Sequence, residues 1–206
     1  MEVTTPGGCY SDVLHHKMNA EYKDILIKKY EEFDLEEYQE RKKLLRFEIF
    51  NILKEVEEPD SEDFHIWGLI YYISDDDKEY HRNLAIEKFL EAYNLDSTNF
   101  LACLYAAHCF HDNGELQNAL KYYELVNKTE LKEFQIWRYV KLIKQIGFCN
   151  YKLGNQILGR KQFQEVLEWY RKLPIEDRAV PTEMLQCLPE SDEIVIEMKE
   201  IEDYLD

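Results

Sequence analysis

The sequence predicts an all-helical protein, and three observations carry that expectation. Glycine and proline are scarce, at 7 and 5 in 206 residues, whereas a β-sandwich or barrel of this length needs many more for its turns. Leucine and isoleucine outnumber valine and threonine, a bias toward helix over strand. Apolar residues recur at three- and four-residue steps along most of the chain, the period of an amphipathic helix. With 45% hydrophobic and 14% aromatic residues, the chain can bury a sizeable core. Its length corresponds to about one domain at roughly 150 residues each.

The first helix is predicted after Asn19, where Tyr22, Ile25, Leu26, Tyr30 and Phe33 share a stripe. Asp34 reads as the N-cap of the next helix, with Glu37 as its reciprocal partner. That helix carries Tyr38, Leu45, Ile49, Ile52 and Val56 and stops before Pro59. Further helices are predicted over Asp63–Ser74, Tyr80–Leu95, Asn99–Asn113, Glu115–Asn127, Thr129–Leu153 and Asn155–Leu173, the last ended by Pro174. In the tail, Ile194, Met198, Ile201 and Leu205 step by four, three and four, which favours helix. Glu193–Met198 also alternates like a strand, but a lone strand has no sheet to join.

An internal repeat underlies these helices. Ala107, Gly114, Ala119, Tyr123 and Val126 recur as Gly147, Gly154, Gly159, Phe163 and Val166, each offset by 40. Ala119, Tyr123 and Val126 also return as Ala85, Phe89 and Ala92, offset by 34, with Gly68 in the place of Ala107. A small residue in each helix lets two backbones approach. The turn glycine permits positive φ, and the aromatic four residues on fills the gap beside the crossing. Hairpins of this kind bury their apolar faces by stacking.

This pattern resembles the tetratricopeptide repeat (TPR), a 34-residue helix-turn-helix unit. The resemblance covers about 61–173 and is best over Ile146-Gly147, Tyr151, Gly154-Asn155, Gly159 and Phe163. No unit ends in the usual proline, and Trp67 replaces the usual leucine beside Gly68. The fold it implies is an antiparallel helix-hairpin solenoid of about three repeats plus flanking helices. The expected organisation is a mobile segment over 1–18, a divergent helical hairpin over 19–60, the TPR-like repeats over 61–173, and an acidic capping segment over 174–206.

Charge and composition restrict the function. Acidic residues number 42 against 25 basic ones, a net charge of −17. That balance repels nucleic acid and anionic membranes and favours encounter with a basic protein partner. Residues 181–206 hold nine acids and one lysine, among them Glu197, Glu200, Glu202 and Asp203, which are candidate partner-facing groups. No apolar run reaches the 18 or more residues of a membrane-spanning helix, and no secretory signal is visible. The five cysteines (Cys9, Cys103, Cys109, Cys149 and Cys187) fit no metal or disulfide spacing. They read as reduced thiols of a cytoplasmic protein.

Motifs for chemistry are absent. There is no phosphate loop, no nucleophile elbow, no His-Glu-x-x-His and no Cys-x-x-Cys. Cys9 with His15 and His16 is the nearest thiol–imidazole grouping, and it reads as a plain terminus. His108 and His111 have a metal-compatible spacing but only two ligands. Asp75-Asp76-Asp77 lacks a calcium-loop pattern and reads as a solvated loop. No catalytic residue, metal or cofactor is expected, and the chain reads as a non-enzyme.

In tetratricopeptide proteins the first helix of each hairpin lines a concave groove. By spacing, the resemblance implies groove residues Glu62, His65, Leu69 and Tyr72, then Leu101, Leu104, His108, His111 and Asp112, then Lys141, Lys144, Phe148, Tyr151 and Lys152. The asparagine that pairs with lysine in chaperone-tail receptors is replaced by His108. Two functions follow. One is an acidic inhibitor that neutralises a basic partner, resembling in class the immunity proteins of bacterial toxins. The other is a scaffold, adaptor or peptide-sensing regulator that uses the groove.

Overall fold

The computed structural model describes residues 10–74, 78–174, 178 and 181–202. Every regular element among them is a helix: α1 (Tyr10–Leu35), α2 (Gln39–Lys54), α3 (Ser61–Tyr72), α4 (Lys78–Leu95), α5 (Phe100–Asp112), α6 (Leu116–Leu125), α7 (Lys128–Phe134), α8 (Ile136–Lys152), α9 (Gln156–Tyr170), α10 (Thr182–Leu185) and α11 (Glu193–Glu202). The predicted all-α class therefore stands, and the tail adopts the helix favoured over a strand.

Consecutive helices pack as pairs: α1 with α2, α3 with α4, α5 with α6, and α8 with α9. Each pair is joined to the next, through α2–α3, α4–α5 and α6–α8 contacts. The repeated small and aromatic positions explain the close pairing. A Cβ added to Gly68 would lie 2.6 Å from the Phe89 ring, and one added to Gly147 would lie 2.9 Å from the Phe163 ring. A Cβ on Gly159 would lie 2.7 Å from the Gly147 carbonyl oxygen. Ala85, Ala119, Phe89, Tyr123 and Phe163 are fully buried. The two turns that follow α5 and α8 place Gly114 and Gly154 at φ values of +79° and +94°, the left-handed region where other residues are strained.

Three predicted boundaries need correction. Asp34 lies in the last turn of α1 rather than capping α2; the N-cap of α2 is Tyr38, without a side-chain cap. The N-cap of α3 is Asp60, and Asp63, the predicted start, serves as the third helical residue of a capping box. The continuous helix expected over Thr129–Leu153 breaks at Gln135, whose extended backbone (φ −156°, ψ 109°) separates α7 from α8. The longer offset of 40 between those two units accommodates α7, an additional short helix between α6 and α8. Helix α1 begins at Tyr10, before the predicted start at Asn19. The loop Asp75–Asp77, Cys9, and the side chains of His15, His16, Glu202 and Asp203 lie outside the described residues.

Polar contacts fasten both ends. The Tyr22 hydroxyl donates to Asp63 Oδ2 at 2.8 Å, and Lys23 pairs with Asp60 and with Glu62. Together they tie α1 to the start of α3. At the other end, Ile194, Val195 and Met198 are buried among Phe163, Val166 and Leu167. Arg160 pairs there with Asp192 and Glu193, and Arg171 with Glu197. Among the described residues, no helix is long and apolar enough to cross a membrane.

Candidate groove and pocket

Helices α3, α5 and α8 contribute to one cavity of about 180 Å³. Tyr72 comes from the last turn of α3. Leu104, Tyr105 and His108 come from the middle of α5, and Trp137, Arg138 and Lys141 from the first turns of α8. Helical spacing explains the convergence. Leu104 and His108 are four apart and Arg138 and Lys141 three apart, so each pair shares a face.

The aromatic groups form a connected wall. Tyr105 meets Tyr72 edge-on at 5.9 Å, His65 at 5.8 Å and His108 at 6.0 Å between ring centroids. It stacks on the core ring of Phe89 at 5.6 Å. Arg138 Nη1 donates to the Tyr105 hydroxyl at 2.9 Å, and its Nε donates to the Gln135 side chain. Its guanidinium lies 4.6 Å from the Trp137 ring centroid, a cation–π contact. The Tyr72 hydroxyl donates to Asp112 Oδ2 at 3.1 Å. His108 Nδ1 and the Tyr123 hydroxyl are 2.7 Å apart in the interior.

Burial sets the protonation of these groups. Desolvation lowers His108 to about 3 and His65 to about 4, and the nearby cations Lys141 and Arg138 push His108 in the same direction. Both imidazoles are therefore neutral at pH 7. The Tyr72 hydroxyl is raised, first by burial and then by Asp112. Burial also pushes the Cys103 and Cys149 thiols up to about 12, so neither supplies the thiolate that nucleophilic chemistry needs. No cluster of three or more metal-ligating side chains occurs among the described residues.

The predicted groove residues fall in different surroundings. Tyr72, Leu104, His108 and Lys141 line the cavity, Leu104 with only 1% of its surface exposed. His65 is part of the aromatic wall, while Leu69 is a core residue. Of the other residues placed on the groove by spacing, Glu62 is exposed and paired with Lys23, Leu101 packs on the core, and Lys152 is exposed. Asp112 stands behind Tyr72.

His111, Lys144, Phe148 and Tyr151 sit farther along, where α10 packs on α8. Glu183 of α10 lies 3.3 Å from Lys144 Nζ and 3.7 Å from His111 Nε2. Lys144 is only 5% exposed, and burial lowers its pKa while Glu183 raises it. The Phe148 ring stands 5.1 Å from His111 and is partly buried rather than fully exposed. The chain's own tail thus covers this stretch. Of the acidic tail group, Glu197 is held by Arg171, and Glu200 is exposed.

Spacing alone missed Tyr105, Trp137, Arg138 and Glu183. Arg138 was legible as the residue three before Lys141 on the same stripe. Glu183 belongs to a four-residue helix with no periodicity to announce it. The chain matches no model of a known protein family, and a comparison with curated proteins gave no significant match.

Proposed function

We propose that this chain is a non-enzymatic protein-binding module of tetratricopeptide-like build, which receives a partner segment along the face shared by α3, α5 and α8. The supporting observation is one pocket to which the first helices of three packed pairs contribute aromatic and cationic side chains. Aromatic groups supply contact area at small entropy cost, and hot spots of interfaces are rich in Tyr, Trp and Arg. The test is selection of displayed random peptides on the full-length protein, followed by calorimetry against Trp137→Ala and Lys141→Glu. Enriched peptides should lose about tenfold or more in affinity to each variant, the effect of about 1.4 kcal/mol. Peptides that bind both variants like the parent would contradict the reading.

The net charge of −17 favours a second reading, an inhibitor or immunity protein that neutralises a basic toxin or effector. Such a partner would dock on the acidic exterior, because the pocket itself is cationic. Its association rate should fall steeply as salt shortens the Debye length from about 30 Å at 0.01 M to about 8 Å at 0.15 M. An association rate indifferent to salt would remove this reading.

A further inference from the structure

Arg138, Lys141 and Lys144 follow one another at steps of three along α8. The last of the three already shows what this row accepts: Lys144 takes the Glu183 carboxylate at 3.3 Å. Among the described residues, Lys141 has no hydrogen bond or ion pair, and Arg138 is bonded only to the neutral groups of Gln135 and Tyr105. Both line the pocket, and no aspartate or glutamate lines it with them. In a chain of net charge −17, two cations lining one cavity, with Asp112 reaching it only from behind the Tyr72 hydroxyl, favour an anion there.

The rest of the pocket restricts the anion's shape. Tyr105 is spoken for by Phe89 and Arg138, but Trp137 and Tyr72 also line the pocket, and such rings suit a flat aromatic body. If the Tyr123 hydroxyl donates to His108 Nδ1, the remaining imidazole proton is on Nε2, a neutral donor. The cavity of about 180 Å³ is smaller than the roughly 300–1,000 Å³ of sites for drug-sized ligands. A site of that size suits a small ligand such as one ring bearing one acid group.

We propose that the pocket between α3, α5 and α8 binds a small free aromatic carboxylate, its acid group on Lys141 and Arg138 and its ring against Trp137 and Tyr72. The proposal concerns the same face as the proposed function and extends it to a small ligand. Occupancy would then change what a partner segment meets there.

The test is calorimetric titration of the full-length protein with benzoate, with benzamide as the neutral isostere. Benzoate should bind saturably, one per chain, and benzamide about tenfold or more weakly, as expected for losing a charge-assisted hydrogen bond. Lys141→Gln should weaken benzoate by a similar factor without lowering the melting temperature, since Lys141 has no hydrogen-bond or ion-pair partner among the described residues. Lys141→Arg, which keeps the charge, should retain binding. Absence of saturable benzoate binding, equal binding of benzamide, or an unchanged affinity in Lys141→Gln would overturn the proposal. A short peptide ending in phenylalanine with a free carboxylate that binds tenfold tighter than benzoate would assign the pocket to a peptide terminus instead. Benzoate binding without any groove-dependent peptide would leave this proposal standing and remove the protein-binding reading. The opposite pair of results would do the reverse.

Discussion

Gly159 has no room for a side chain, because a Cβ there would meet the Gly147 carbonyl at 2.7 Å and Tyr151 at 2.8 Å. Backbone cannot give way as a flexible side-chain end can. Gly159→Ala should therefore lower stability in urea unfolding by about 1–3 kcal/mol, and Gly159→Leu by more. Gly114→Ala meets no atom within 4 Å but must hold φ +79°, so its cost of about 1–2 kcal/mol is purely conformational. The two histidines give the residue scale a pH signature. Their folded values, about 4 for His65 and about 3 for His108, lie below the ordinary 6.5. The unfolded chain then binds more protons, so their stabilisation is complete above pH 6.5 and falls as the pH drops. Between pH 6.5 and 5, each should cost up to about 2 kcal/mol. That window lies above the range where carboxylates such as Asp60 and Asp112 begin to protonate. His108→Gln should flatten the melting-temperature profile there, and an equally steep profile would show that His108 is not held neutral.

At the scale of elements, what was legible in the sequence divides by range. Two of the helix pairs rest on a small residue opposite a large one: Gly68 stands opposite Phe89 and Gly147 opposite Phe163. The aromatic partners Phe89, Tyr123 and Phe163 recur with the small residue four before each at offsets of 34 and 40, and Gly68 lies five residues farther from its partner, so these pairs could be read directly. Breaks and docked segments could not. Gln135 interrupts a stripe that stays apolar on both sides, and its extended backbone leaves no periodic trace. The position of α10 depends on the long-range contact of Glu183 with Lys144 and His111. Because the groove was placed by counting from Gly147, it included the stretch that the tail covers and omitted Arg138. Glu183→Ala should weaken the seat of α10 by about 1–3 kcal/mol, less than a fully buried pair because the Glu183 side chain is 31% exposed. Hydrogen exchange should accelerate selectively in 181–188. Unchanged exchange there would mean that Met184 and Leu188, both buried, hold the segment without the ion pair.

Across the whole molecule, three successive clusters of buried side chains run from the α1–α3 end, through the centre, to the α8–α11 end. Both ends are closed by polar fastenings, Tyr22 and Lys23 at one and Arg160 and Arg171 at the other. The face shared by α3, α5 and α8 remains open where the pocket lies. The three tryptophans report on different parts of this arrangement. Trp137 lines the pocket, Trp67 stacks with Phe64 on α3, and Trp169 packs edge-on against Tyr139. The central claim is that the face shared by α3, α5 and α8 is the binding surface. Its most direct test is a nitrogen–proton NMR titration of the three indole N–H signals with a peptide selected on the full-length protein. The account predicts that the Trp137 signal shifts in proportion to occupancy while those of Trp67 and Trp169 stay in place. A shift confined to Trp67 or Trp169, with Trp137 unmoved at saturation, would contradict it.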